Sequence, residues 1–76
     1  MTTQGYITVK DNKVAFYGNN DKDLVDVLVK YNNEKLIATV ASYTEAQKAI
    51  NAINTKGVDI DSKIIAKKQA DNYFLA

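Results

Sequence analysis

Residues 24–41, LVDVLVKYNNEKLIATVA, constrain the fold more than any other stretch. Two runs rich in β-branched side chains flank Asn32 and Asn33, residues that tolerate the positive φ of a tight hairpin turn. A turn centred there pairs Tyr31 with Glu34, Lys30 with Lys35, Val29 with Leu36, Leu28 with Ile37, Val27 with Ala38, Asp26 with Thr39 and Val25 with Val40. One face of that hairpin, Val25, Val27, Val29, Leu36, Ala38 and Val40, is apolar without a break. The other mixes Leu28 and Ile37 with Asp26, Thr39, Lys30 and Lys35. A helix competes for the first half, since Asn20 and Asp23 can form a cap and Leu24, Val27, Leu28 and Tyr31 share a helical face. Val25, Val27 and Val29 are stiff at χ1 and favour the strand.

Gly5 to Gly18, GYITVKDNKVAFYG, reads as a second hairpin. A turn at Asp11-Asn12 pairs Lys10 with Lys13, Val9 with Val14, Thr8 with Ala15, Ile7 with Phe16 and Tyr6 with Tyr17. Ile7, Val9, Val14 and Phe16 then share one face, while Tyr6, Thr8, Lys10, Lys13, Ala15 and Tyr17 share the other. A one-residue slip would scramble that separation.

Ser42 to Gly57 predicts a helix. Ser42 with Glu45, or Thr44 with Gln47, makes a capping box. Ala46, Ala49, Ile50 and Ile53 recur at the spacing of one buried face, and Gly57 suits a left-handed C-terminal cap. Farther on, residues 62–69, SKIIAKKQ, predict a strand. Tyr73, Phe74 and Leu75 predict that the C-terminal segment docks on the sheet or on another molecule. The expected fold is a single α+β domain over residues 1–76, of order ββββαβ: a four-stranded antiparallel meander, one helix across its apolar face, and a further strand. The helix is expected to cover Ile7, Val9, Val14, Phe16, Val27, Val29, Leu36 and Val40.

Composition narrows the chemistry. The 76 residues include no His, Cys, Trp, Arg or Pro. Imidazole and thiolate metal ligands are therefore missing, as is any His-based catalytic pair. Phosphate has no bidentate Arg to meet it. An apolar share of 46% suits a globular chain, and a net charge of +1 gives no general pull toward nucleic acid or anionic membrane. No apolar run approaches a membrane span, and the first ten residues lack a signal pattern. Abundant Lys, Asn, Ile and Tyr without Arg or Pro fit an AT-rich coding sequence, such as that of a low-GC bacterium or a phage. A cytoplasmic location is expected.

The remaining motifs are weak. Asn19, Asp21 and Asp23 alternate like the start of a calcium loop, but Leu24 and Lys30 stand where that loop needs Gly and Glu. Asp59 and Asp61 would share one side of a strand, with no third ligand in view. Neither Ser42 nor Ser62 lies in a nucleophile elbow. No cofactor and no catalysis are expected.

The candidate site is the second sheet face, with Tyr6, Thr8, Lys10, Lys13, Tyr17, Leu28, Lys30, Lys35 and Ile37. Paired lysines at two hairpin tips repel and invite an anionic neighbour. The function expected is that of a small protein-binding module, a regulator or inhibitor docking on an acidic partner surface, with homodimerisation through the same face or a sheet edge included. The alternative is single-stranded nucleic-acid binding, with Tyr6 and Tyr17 stacking bases and the lysines tracking phosphates. An enzyme built on the acidic pairs ranks third.

Overall fold

The computed structural model describes residues 2–54 and 56–75. Chain order is β1 (Gly5–Lys10), β2 (Lys13–Gly18), a single 3-10 turn (Asn19–Asp21), α1 (Lys22–Tyr31), β3 (Lys35–Val40), α2 (Tyr43–Ala52) and α3 (Ile60–Leu75). The fold is α+β, with one three-stranded antiparallel sheet of order β2-β1-β3. The expected four-stranded meander and C-terminal strand are not formed.

The first hairpin has the expected register throughout, from Lys10 opposite Lys13 to Gly5 opposite Gly18. Asp11 and Asn12 have φ of 52° and 65°. Both are left-handed, as the tight turn that matches strand twist requires.

The second hairpin does not form. Residues 22–31 are helical, and β3 pairs with β1 instead of with them. Both β2 and β3 run antiparallel to β1, so they are parallel to each other. Parallel strands need a crossover, and α1 supplies it. Three valines cost little helix propensity beside that topological requirement. Asn33, at φ 58°, turns the chain after the helix rather than inside a hairpin. The Asn32 and Glu34 amides both donate to the Leu28 carbonyl, at 3.0 and 3.2 Å, which satisfies an end that would otherwise be orphaned.

α1 covers one face of the sheet, and α2 with α3 cover the other. The main core lies on the second side: Ile7, Val14, Phe16 and Val40 pack with Ala46, Ile50, Ala66 and Ala70. Val9, Ala49 and Ile53 are half-buried against it. Val27, Val29 and Leu36, expected in this core, are exposed. The first two ride on α1. Leu36 sits opposite Thr8, on the face turned away, because Ile37 is an extra residue between the pairs Ile7–Ala38 and Thr8–Leu36.

α2 is capped as expected, Ser42 Oγ accepting from the Glu45 amide at 3.2 Å. It ends at Ala52 rather than near Gly57. Thr55, within the predicted span, lies outside the described residues. The Lys63 ammonium donates to the Ile53 carbonyl at 3.1 Å, placing a cation where α2 ends.

α3 replaces the expected strand. It buries Ser62, Lys63, Ala66 and Ala70, and Ser62, Ala66 and Ala70 are small enough to bring the helix against β2. β2 is an edge strand, and α3 closes that edge with side chains. The Val14 amide donates to Ser62 Oγ at 2.9 Å, and the Phe16 amide to Gln69 Oε1 at 3.2 Å. Just past the strand, the Asn19 amide donates to the Tyr73 hydroxyl at 3.3 Å. Tyr73 and Phe74 pack on Phe16, each with ring centroids 5.8 Å away. The C-terminal segment thus docks on its own sheet, except for exposed Leu75.

Candidate functional site

The sheet face expected to be open lies under α1. Tyr6 and Thr8 are buried there, Thr8 completely. Thr8 Oγ1 donates to Glu34 Oε1 at 3.0 Å, and Asn32 Nδ2 to Glu34 Oε2 at 3.3 Å. Lys10 Nζ donates to Asn32 Oδ1 at 2.9 Å. Together these bonds pin the α1–β3 connection to β1. Tyr17 faces the same group of side chains. Its hydroxyl pKa is raised by burial first, then by the charge and acceptor oxygens of Glu34, then by Asp21. The polar atoms of this face are spent inside the molecule.

The lysines do not form one patch. Lys10 is held by Asn32, and Lys13 reaches toward Asp59 on the far side, with 4.0 Å between Nζ and Oδ2. Lys30 lies over the Tyr31 ring, 5.3 Å from its centroid. Lys35 is exposed opposite Val9, on the α2 side of the sheet. All four sit toward the hairpin-turn end of the molecule, but facing different ways. Leu28 is half-buried on α1, part of the cover rather than of the sheet. Ile37 is exposed at the β3 bulge. Of the nine predicted residues, Thr8, Lys10 and Tyr17 are brought together, around Glu34.

The acidic motifs have structural uses. Asp59 Oδ1 accepts from the Asp61 amide at 3.0 Å, which makes Asp59 the N-cap of α3. Among the described residues no group of three or more His, Cys, Asp and Glu side chains is placed to hold a metal. Asn19 to Asp21 form the 3-10 turn rather than a cation loop.

Two features went unread in the sequence. Leu24, Val27 and Tyr31, at i, i+3 and i+7, make an exposed apolar stripe along α1. The helical reading of this segment groups Leu24, Val27, Leu28 and Tyr31 on one face, and of these only Leu28 is half-buried. The buried residue is Val25, at 2% exposure. An open groove of about 360 Å³ lies beside β2, between the start of α1 and the last turns of α3. Tyr17, Asp21, Leu24, Gln69, Asn72 and Tyr73 line it, so Leu24 belongs to both stripe and groove. No sequence signal marks the groove, because its walls come from three separated segments.

The chain matches no protein-family model, no curated protein and no solved structure.

Proposed function

We propose that the chain is a small, non-catalytic protein-binding module, a regulator or inhibitor, that docks through the outer side of α1 and the adjoining groove. One observation carries this reading: the stripe of Leu24, Val27 and Tyr31 stands in solvent on a short helix and runs into the groove at Leu24. A helix that served only as a lid would turn its large apolar residues inward. This one buries a single valine and leaves Tyr31 73% exposed. Exposed apolar residues next to a groove whose walls mix Leu24 and Tyr73 with Asp21, Gln69 and Asn72 suit an amphipathic segment of a partner protein.

Base stacking has less support. It needs open aromatic faces on the sheet, and Tyr6 is covered.

The test is affinity capture from a lysate, comparing the wild-type chain with Val27→Asp and with Ile64→Glu, an exposed position on α3. The reading expects a protein retained by wild type and by Ile64→Glu but lost with Val27→Asp, at unchanged thermal stability. No protein that discriminates Val27→Asp from wild type would overturn it.

A further inference from the structure

α3 turns its isoleucines outward. Its buried residues are Ser62, Lys63, Ala66 and Ala70, with Tyr73 and Phe74 packed against the core near its end, while Ile60, Ile64, Ile65 and Leu75 are exposed, Ile60 at 62% and Ile65 at 55%. At 100° per residue, Asp61, Ile64, Ile65, Lys68, Asn72 and Leu75 form one continuous outward face. All six are exposed. A helix whose only task was to close β2 would have no use for isoleucines on that side.

The charges on this face are self-complementary. Asp61 and Lys68 are two turns apart, about 10.5 Å along the axis, too far to pair within one helix. Among the described residues neither carboxylate nor ammonium has a salt-bridge partner, the observed bridges being Lys13–Asp59 and Lys22–Asp26. Lay a second α3 antiparallel, with a two-fold axis between Ile64 and Ile65. Asp61 then meets Lys68 of the second copy, and Lys68 meets its Asp61. Ile64 meets Ile65 at the centre, twice. Ile60 lies over the stem of Gln69. The pattern is isologous, as a two-fold dimer demands. A parallel arrangement would put Asp61 on Asp61 and Lys68 on Lys68, which repel.

We infer that the outward face of α3 is a homodimer interface, in which two copies pair their α3 helices antiparallel through Ile64 and Ile65, with reciprocal Asp61–Lys68 pairs. The α1 stripe lies on another helix, while Gln69 and Asn72 of α3 also line the groove beside it; a dimer lost with Ile64→Glu but kept with Val27→Asp tells this proposal apart from the docking one. The helices overlap only from Ile60 to Gln69. Such an interface falls short of the ~800 Å² per partner of a standard-size one, which places self-association in roughly the micromolar-to-millimolar range.

Sedimentation velocity over that concentration range tests it, on wild type, Asp61→Lys, Lys68→Asp, Ile64→Glu and Ile37→Asp. Wild type is expected to dimerise. Each single charge reversal sets two like-charged pairs across the interface and is expected to weaken the homodimer about tenfold or more. Mixing Asp61→Lys with Lys68→Asp is expected to restore dimer as the heterodimer, because every cross-pair is then opposite in sign. Ile64→Glu is expected to abolish dimer, and Ile37→Asp to leave it intact. All four positions are exposed, and recovery on mixing shows that the charge variants fold. A wild-type chain that stays monomeric at millimolar concentration overturns the inference. A dimer indifferent to the charge reversals also overturns it, as does one lost with Ile37→Asp, which would place the contact at the β3 edge.

Discussion

Gly18 ends β2 where a side chain has nowhere to go. A Cβ there would lie 2.2 Å from the Tyr73 ring. Moving that ring would cost its packing on Phe16 and Phe74, at centroid distances of 5.8 and 4.9 Å, and the bond its hydroxyl accepts from the Asn19 amide. Gly18→Ala is expected to cost about 1–3 kcal/mol, the usual range for overpacking, read by urea unfolding. Tyr17 gives a test in pH. Its hydroxyl holds a proton more tightly in the folded chain than in the unfolded one, chiefly through burial and then through Glu34. Stability from this group is complete below the ordinary tyrosine value of 10.0 and falls as pH rises through the raised one. Tyr17→Phe is therefore expected to lessen the stability lost between neutral and strongly alkaline pH, in urea melts compared with wild type.

At the scale of elements, the two sides of the sheet are held differently. α3 is tied to β2 by packing and by side-chain acceptors at two strand amides. Ser62 both accepts from the Val14 amide and donates to the Asp59 carbonyl, at 2.8 Å. Ser62→Ala leaves that amide buried without a partner, at an expected cost of about 1–3 kcal/mol and with faster hydrogen exchange at Val14. α1 is held by much less. Val25 is its one buried residue, outside the main core, with Leu28 half-buried beside it. Few buried apolar contacts mean a low local opening free energy. The amides of Lys22–Tyr31 are expected to exchange through local opening, faster than those of Ile7 and Phe16. Val25→Ala, expected to cost about 2 kcal/mol, should widen that gap in exchange rates.

Across the whole molecule, the parts legible in the sequence are those whose partners are near in the chain. The Gly5–Gly18 hairpin carries its register in alternation and its turn in Asp11-Asn12. α2 carries its start in Ser42 and Glu45 and its core in Ala46 and Ile50. The α+β class follows from these two. α1 was misread because Val25, Val27 and Val29 carry strand propensity, and because residues 24–41 form a consistent hairpin on paper. Only the pairing of β3 with β1 rules that hairpin out, and local pattern does not contain it. α3 escapes the sequence reading because its inward stripe of Ala66, Ala70, Tyr73 and Phe74 begins with small residues, while Ile60, Ile64 and Ile65, the strand-like part, are exposed. The candidate face does not form as one sheet surface, since four of its nine residues depended on the paper hairpin. Tyr6, Thr8, Lys10, Lys13 and Tyr17 were assigned to the right hairpin, but the cover over Tyr6 and Thr8 came from the segment expected to extend the sheet.

The closure of β2 by α3 bears on the order of synthesis. The Val14 amide finds its acceptor 48 residues further along, and the Phe16 amide 53 residues further. A ribosome makes the hairpin well before it makes the helix that seals it. During that interval the nascent strand presents a bare edge, open to pairing with any extended neighbour. A chain cut after Asn54 would lose that seal together with Ala66, Ala70, Tyr73 and Phe74 of the core, and should aggregate where the longer chain stays dispersed, as light scattering on the two would show. α3 thus works as a late-arriving chaperone within the same chain, standing in for the strand that β2 never receives.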